Sequence, residues 1–341
     1  MKTIYSNKHE LHATGSLTYD GQPFVTEEVP ERAKLILKAI ETAENGETLP
    51  PVDFGIDPIL AVHTSDYVDY LQKVYQWISN YLKDDDPVLP HAFAVRHNGR
   101  KPKSFLGLRG YYGFGAGTPI LPGTWEAAYW SAQSALTAAQ MVIDGERAVY
   151  ALCRPPGHHA AADLYGGSCF LNNAAITTRY LLKHTGKVAI LDIDYHHGNG
   201  TQMIFYSDPA VLFCSLHAHP DEDYPYFWGE TDEIGEGEGE GTNFNIPLPK
   251  GVEDKEYLAA LDRALKRIAD FTPGYLVVSA GFDLIKGDPI GGFGVSVKGL
   301  AMISRRIASL GIPTVIVQEG GYLMEMLGLL AATFLSNFNR N

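Results

Sequence analysis

Val188-Ala-Ile-Leu-Asp-Ile-Asp-Tyr-His-His-Gly-Asn-Gly-Thr201 is the stretch whose reading decides the fold. Val188 to Leu191 suit the interior of a parallel sheet, and Gly198 and Gly200 let the backbone turn sharply after the polar residues. A buried strand thus ends in two aspartates and two histidines. Asp192, Asp194 and His196 alternate, so a strand period of two sends all three to one side. Two carboxylates beside an imidazole are costly to bury unless a cation or hydrogen bonds offset the charge.

Outward from this stretch the same alternation of element types continues. Strand-like runs fall at Met1 to Ser6, Ala148 to Cys153, Val211 to Leu216, Tyr275 to Ala280 and Thr314 to Gln318. Helical periodicity occupies Glu31 to Glu44, a segment opened by Thr64-Ser-Asp, Thr124 to Gly145, Asn172 to Lys183, Asp254 to Phe271, Val297 to Leu310 and roughly Glu325 to Leu335. Repeated strand–helix alternation with continuous apolar strands predicts an α/β chain with a mostly parallel sheet covered on both faces. Ligands of such sheets sit beyond the carboxyl ends of the strands. With no internal repeat and no linker, residues 1–341 read as a single domain, interrupted only by a loop of about 40 residues near 83–122 of the kind that usually carries function or an oligomer contact.

Composition narrows the class. A hydrophobic content of 45% supports a well-buried core, and no run approaches the roughly 18 apolar residues of a membrane span. The start lacks a signal-peptide pattern, so a cytoplasmic location is expected. A net charge of −13 argues against nucleic acid or an acidic membrane as partner. Cys153, Cys169 and Cys214 have no Cys-x-x-Cys spacing, which predicts packed, reduced thiols.

Four strand ends carry unusual residues: Arg154-Pro-Pro-Gly-His-His159, the opening stretch, Ser279-Ala-Gly-Phe-Asp283 with Asp288-Pro289, and Gln318-Glu-Gly-Gly-Tyr322. Asp194, His196 and Asp283 suit a metal with an open fourth position, as in a catalytic zinc site. His158 and His159 can carry protons at neutral pH, and Tyr322 can donate a hydrogen bond to a developing oxyanion. Together they suit metal-assisted hydrolysis of an amide. By itself, Asp283 would also suit a helix cap. Gly235 to Gly241, with alternating glutamates, reads as a mobile solvated loop; His217, His219, Asp221 and Asp223 are metal-ligand types too, but a solvated loop is the reading preferred for them.

With these motifs in hand, the sequence resembles the histone deacetylase family over nearly its whole length, and within it the bacterial acetylpolyamine amidohydrolases. Arg154-Pro-Pro-Gly-His-His-Ala160, Leu191 to Thr201, Gly281-Phe-Asp283 with Asp288-Pro289, and Glu319-Gly-Gly-Tyr322 carry the likeness. The resemblance implies the arginase/deacetylase fold with an eight-stranded parallel sheet, and zinc, or Fe2+ or Co2+ in its place, on Asp194, His196 and Asp283. It implies tandem histidines at His158 and His159, backed by Asp192 and Asn199, and a carbonyl-polarising Tyr322. Since a carboxylate stabilises an imidazolium while an amide only orients the ring, His159 is expected to take the proton of the attacking water and His158 to act as a cation. The family also implies a structural K+ at Asp192, Asp194, His196, Ser215 and Leu216, and an acetate channel lined by Arg32.

Departures from the family concern the substrate. Acidic positions that read a polyamine's far ammonium fall on Leu17, Leu106 and Gly117, and Ser168, before Cys169, stands where an aromatic tunnel wall is usual. Tyr224, Tyr226, Phe227 and Trp228 could line the opposite side, giving a one-sided aromatic channel. The expectation is a zinc-dependent deacetylase of small acetylated amines (acetylpolyamines, acetylcadaverine, acetylputrescine), acting as a homodimer through the 83–122 loop. A protein or peptide acetyl-lysine deacetylase is the alternative. A dimanganese ureohydrolase would need a DxHxD pattern where Asp192-Ile-Asp-Tyr-His196 stands, and a non-catalytic acetyl-ligand binder would not need every turnover residue.

Overall fold

Eight parallel strands form the sheet that carries the chain from near its start to Gln318, in the order β4-β1-β5-β10-β9-β6-β7-β8. They are β1 (Lys2–Ile4), β4 (Thr48–Leu49), β5 (Ala148–Ala151), β6 (Val188–Asp192), β7 (Val211–Ala218), β8 (Asn243–Leu248), β9 (Tyr275–Ala280) and β10 (Thr314–Gln318). A separate antiparallel pair joins β2 (Leu17–Tyr19) to β3 (Gln22–Phe24). The computed structural model describes residues 1–15, 17–19, 22–43, 46–81, 86–94 and 100–339.

Strand side chains alternate between two cores because the strand period is two. Tyr150, Leu191, Cys214, Val278 and Ile316 face the helices α1 (Glu31–Thr42), α8 (Asp254–Phe271), α9 (Val297–Ala308) and α10 (Met324–Phe338). Their neighbours Val149, Ile190, Phe213, Val277 and Val317 face the other way, onto α5 (Thr124–Ile143) and α6 (Asn173–Leu181). Both faces are covered, so the strands read as unbroken apolar runs. Cys153, Cys169 and Cys214 are buried free thiols.

The four chemistry-bearing strands are neighbours, β5-β10-β9-β6, and this order brings segments distant in sequence to one edge. The expected strand and helix positions correspond closely to those observed, but the short strands β2, β3 and β4, strand β8, the helical turn Asp57–Leu60 and the short helix α7 (Asn199–Phe205) were not legible. Within the expected long loop, residues 83–85 and 95–99 lie outside the described residues. The remainder holds a helix, Phe105–Tyr111, whose N-terminus is capped by Ser104 Oγ accepting from the Leu106 N–H at 3.2 Å. Val88 and Ile120 pair across the ends of this stretch. Seven residues with two glycines are too few to display a helical period.

Gly235 to Gly241 differs from the mobile loop expected. The Glu236 N–H donates to Tyr206 O and the Gly241 N–H to Ile234 O, while Gly239 is buried against Ser207 and Asp208. The glutamates point outward and the backbone is tied down. His217 likewise is not in a solvated loop: it lies at the end of β7, fully buried, with Nε2 donating to Gly229 O at 2.9 Å and Nδ1 accepting from Ser215 Oγ at 2.8 Å. Among the described residues no helix is long and apolar enough to cross a membrane.

Candidate active site

Beyond the carboxyl end of β6 the backbone leaves the strand at Asp192, so strand periodicity does not orient Asp194 and His196. A ladder of short local hydrogen bonds does it instead. Asp192 Oδ1 accepts the Asp194 N–H at 3.0 Å, and Asp194 Oδ1 accepts the His196 N–H at 2.9 Å. Each aspartate thus holds the backbone two residues on, the Asx geometry that its short side chain favours. Asp192 and Asp194 are thereby given different neighbours.

Asp192 Oδ2 lies 3.0 Å from His158 Nδ1. Asp194 turns to the other partners: its Oδ2 accepts the Gly320 N–H at 2.8 Å, and its Oδ1 lies 3.3 Å from His196 Nδ1. Asp283, far from a cap, is fully buried, with Oδ1 accepting the Tyr195 N–H at 2.9 Å and Oδ2 3.2 Å from His196 Nδ1. One ligand atom each from Asp194, His196 and Asp283 lie within 4.8 Å of one another. Gly281 and Gly320 permit this approach, since a Cβ at either would meet the Asp194 carboxylate within 2.6 Å.

The electrostatics of the trio are those of a cation site. Burial alone would lower the His196 pKa, yet its hydrogen bonds to the Asp194 and Asp283 carboxylates raise it to about 10. Burial and the Asp194 charge together push Asp283 up to about 7. Two buried carboxylates, oriented by the Gly320, His196 and Tyr195 N–H groups, and one imidazole match the donor set of a divalent metal.

The tandem histidines differ in the way their partners dictate. Against the lowering effect of burial, Asp194 and Asp192 raise His158 to about 10. His159 is driven well below the ordinary range, first by burial and then by the charges of His158 and His196. Its Nδ1 pairs with Asn199 Oδ1 at 2.7 Å, so Nδ1 carries the hydrogen and Nε2 is left as acceptor. Glu319 holds the turn that leads into them, accepting the Gly157 and His158 N–H groups at 2.7 and 3.2 Å.

A cavity of about 280 Å³ opens on this cluster, lined by His159, Gly167, Ser168, His196, Asp223, Tyr224, Ile290 and Tyr322. Ser168 enters it from a two-residue turn: Gly166 and Cys169 exchange backbone hydrogen bonds, and Gly167 and Ser168 both have positive φ. That turn sends Cys169 back into the protein, where it is fully buried and donates to Gly167 O, so Cys169 does not line the cavity as expected. Tyr224 faces His159 with ring centroids 5.0 Å apart, and Phe114 stacks on Tyr224 at 6.3 Å. Tyr226 is 55% exposed and lies outside the lining, a second departure: its positive φ turns the chain outward after Tyr224.

Arg32 lies buried beneath Tyr322, its guanidinium 4.6 Å from the ring centroid, donating to Gly321 O and Glu319 O at 2.8 Å each. Glu28 accepts from both Arg32 and Arg154. Ser215 stands beside Asp192 in the β6–β7 register, and Leu216 follows it. Phe114, Ile290, Asp223 and Glu319 were given no catalytic or channel role from sequence; Glu319 had a signal, since it sits inside a quoted motif, and Asp223 stood in the stretch read as a solvated loop.

A model of the histone deacetylase domain matches residues 26–338. The chain belongs to the histone deacetylase family. Among the deacetylase-family hydrolases, it is 44% identical to acetylpolyamine amidohydrolase 1 of Pseudomonas aeruginosa, with 99% of each chain covered. It is 40% identical to the acetylpolyamine amidohydrolase of Mycoplana ramosa over 98% of each. The solved acetylpolyamine aminohydrolase of Burkholderia pseudomallei superposes with a TM-score of 0.93 at 40% identity, covering 100% of this chain and 99% of that one. The family's α/β architecture is therefore that of this chain.

Proposed function

We propose that this deacetylase-family member is a zinc-dependent amidohydrolase that removes the acetyl group from small N-acetylated amines, such as acetylpolyamines, acetylputrescine and acetylcadaverine. The observation that carries the reading is the cavity of about 280 Å³ in which His159, His196 and Tyr322 share one wall system, sized for a thin acyl-amine. Relatives named as acetylpolyamine amidohydrolases support the substrate class.

Asp194, His196 and Asp283 would hold zinc, or Fe2+ or Co2+ in its place, which would supply Lewis acidity to the acetyl carbonyl and the attacking water. His159, with Nδ1 fixed on Asn199, offers Nε2 to the proton of that water and returns it to the leaving amine. His158, kept cationic by Asp192, sets a positive charge beside the anion that develops on the acetyl group. The Tyr322 hydroxyl donates to the same oxygen. Ser168 and Tyr224 confine the methylene chain. The Asp192–Ser215 register supports a structural K+ on Asp192, Asp194, His196, Ser215 and Leu216, and Arg32 behind Tyr322 supports an exit for acetate.

Steady-state rates of the zinc-loaded protein on N-acetylputrescine, N-acetylcadaverine and acetyl-lysine peptides test the proposal. Higher kcat/KM on the small amines is expected. Faster turnover of the peptides would replace it with protein deacetylation.

A further inference from the structure

Among the residues lining the cavity, Asp223 is the one carboxylate outside the metal-ligand trio. It sits in a turn that the sequence suggested was merely solvated, and its environment is built. Its Oδ1 accepts the Tyr224 N–H at 2.9 Å, and its Oδ2 accepts the Tyr195 phenol at 2.8 Å. Tyr195 lies between Asp194 and His196 in the chain, packs edge-on against the His196 ring at 5.0 Å, and gives its N–H to Asp283. The carboxylate is thereby fixed relative to the reacting centre through one rigid side chain.

The remaining partner of Oδ2 is the Lys250 ammonium at 3.1 Å. Lys250 is half exposed on a flexible four-carbon stem, and ion pairs of that kind contribute little. A second ammonium can therefore take its place at small cost.

We infer that Asp223 reads the free ammonium of the substrate amine, with Lys250 as the internal cation that the substrate displaces. The inference rests on the deacetylase reading above and names the substrate class of that site: acetylated amines bearing a second, protonated nitrogen. Tyr224, Ser168 and Ile290 flank the apolar spacer between the two polar ends.

The test compares N-acetylputrescine with N-butylacetamide, which has the same acetamide and a four-carbon chain without the charge. The selectivity is the ratio of kcat/KM for the two. Asp223→Asn is expected to lower this ratio about 5- to 10-fold, chiefly through KM, with the effect shrinking at high salt. Lys250→Met is expected to raise the ratio about twofold or more, a change of opposite sign that loss of structure does not produce. Equal losses on both substrates in Asp223→Asn, or a ratio unmoved in Lys250→Met, overturn the inference. A wild-type protein that hydrolyses neither substrate overturns the deacetylase reading itself.

Discussion

The Tyr322 N–H donates to Asp288 Oδ2 at 2.7 Å, and the Leu323 N–H reaches the same oxygen at 3.0 Å. The other oxygen of Asp288 accepts the Ile290 and Gly291 N–H groups at 3.1 and 3.2 Å. One buried carboxylate therefore joins the loop after β9 to the loop after β10, and both Ile290 and Tyr322 line the cavity. Four donors converge on it, so an acceptor-only group is required. Asp288→Asn turns a donor toward two of them and should lower kcat roughly 10- to 100-fold, since an ångström of misplacement costs that much. If Asp288 acts through Tyr322, the loss nearly vanishes in a Tyr322→Phe background; additive losses in the double-mutant cycle would assign it a general structural role.

Tyr322→Phe keeps the ring beneath which Arg32 packs and deletes only the hydroxyl. A fall in kcat of about 10²–10³ is expected, as for removal of an oxyanion donor, with metal content unchanged. Elemental analysis alongside the kinetics separates this from loss of the metal.

Removal of the metal by a chelator should abolish activity and lower the Tm, and zinc should restore both. Without the cation, Asp194 and Asp283 face each other buried. Asp283→Ala should bind zinc far more weakly; equilibrium dialysis that returned wild-type stoichiometry would disprove its assignment as ligand.

Buried His63 makes stability depend on pH. Its Nε2 accepts the Asn172 N–H at 2.9 Å while Nδ1 faces Ala162 O at 3.3 Å, an arrangement for the neutral ring, and burial lowers its pKa to about 4. Between about 4 and the unfolded value near 6.5 the unfolded chain holds more protons at this site, so stability rises with pH. Stability is complete above pH 6.5 and is lost as pH falls toward about 4. Urea unfolding from pH 7 to 4.5 should show this slope, and His63→Gln, which retains an acceptor for Asn172, should reduce it.

Glu28 lies between two buried guanidiniums, 3.0 Å from Arg32 and 2.8 Å from Arg154. Glu28→Gln should destabilise the fold by about 3–5 kcal/mol, because both cations then remain buried without their counter-charge. Chemical denaturation measures it directly; a change under 1 kcal/mol would mean that water reaches the pair.

Much of the site was legible because its determinants are local. Apolar runs ending in Asp, His and Gly mark buried strands that stop in chemistry, and the residue types at four such ends match metal-ligand and proton-transfer roles. The alternation of Asp192, Asp194 and His196 was informative even though its assumed cause was different: the strand stops at Asp192, and side-chain acceptance of the N–H two residues on orients the rest.

By itself the sequence determined most of the longer strands and helices and which chemistry the strand ends carry, since period and turn propensity act within a few residues. Only the tertiary structure decided which ends meet. The order β5-β10-β9-β6 places them side by side, through pairings between segments far apart in the chain. Side-chain direction was decided there too: a tight turn projects Ser168 into the cavity and withdraws Cys169, and Tyr195 pins Asp223 to the cavity wall. A carboxylate's neighbours, and hence whether it is solvated or reads a cation, are set by packing between elements that no local pattern encodes.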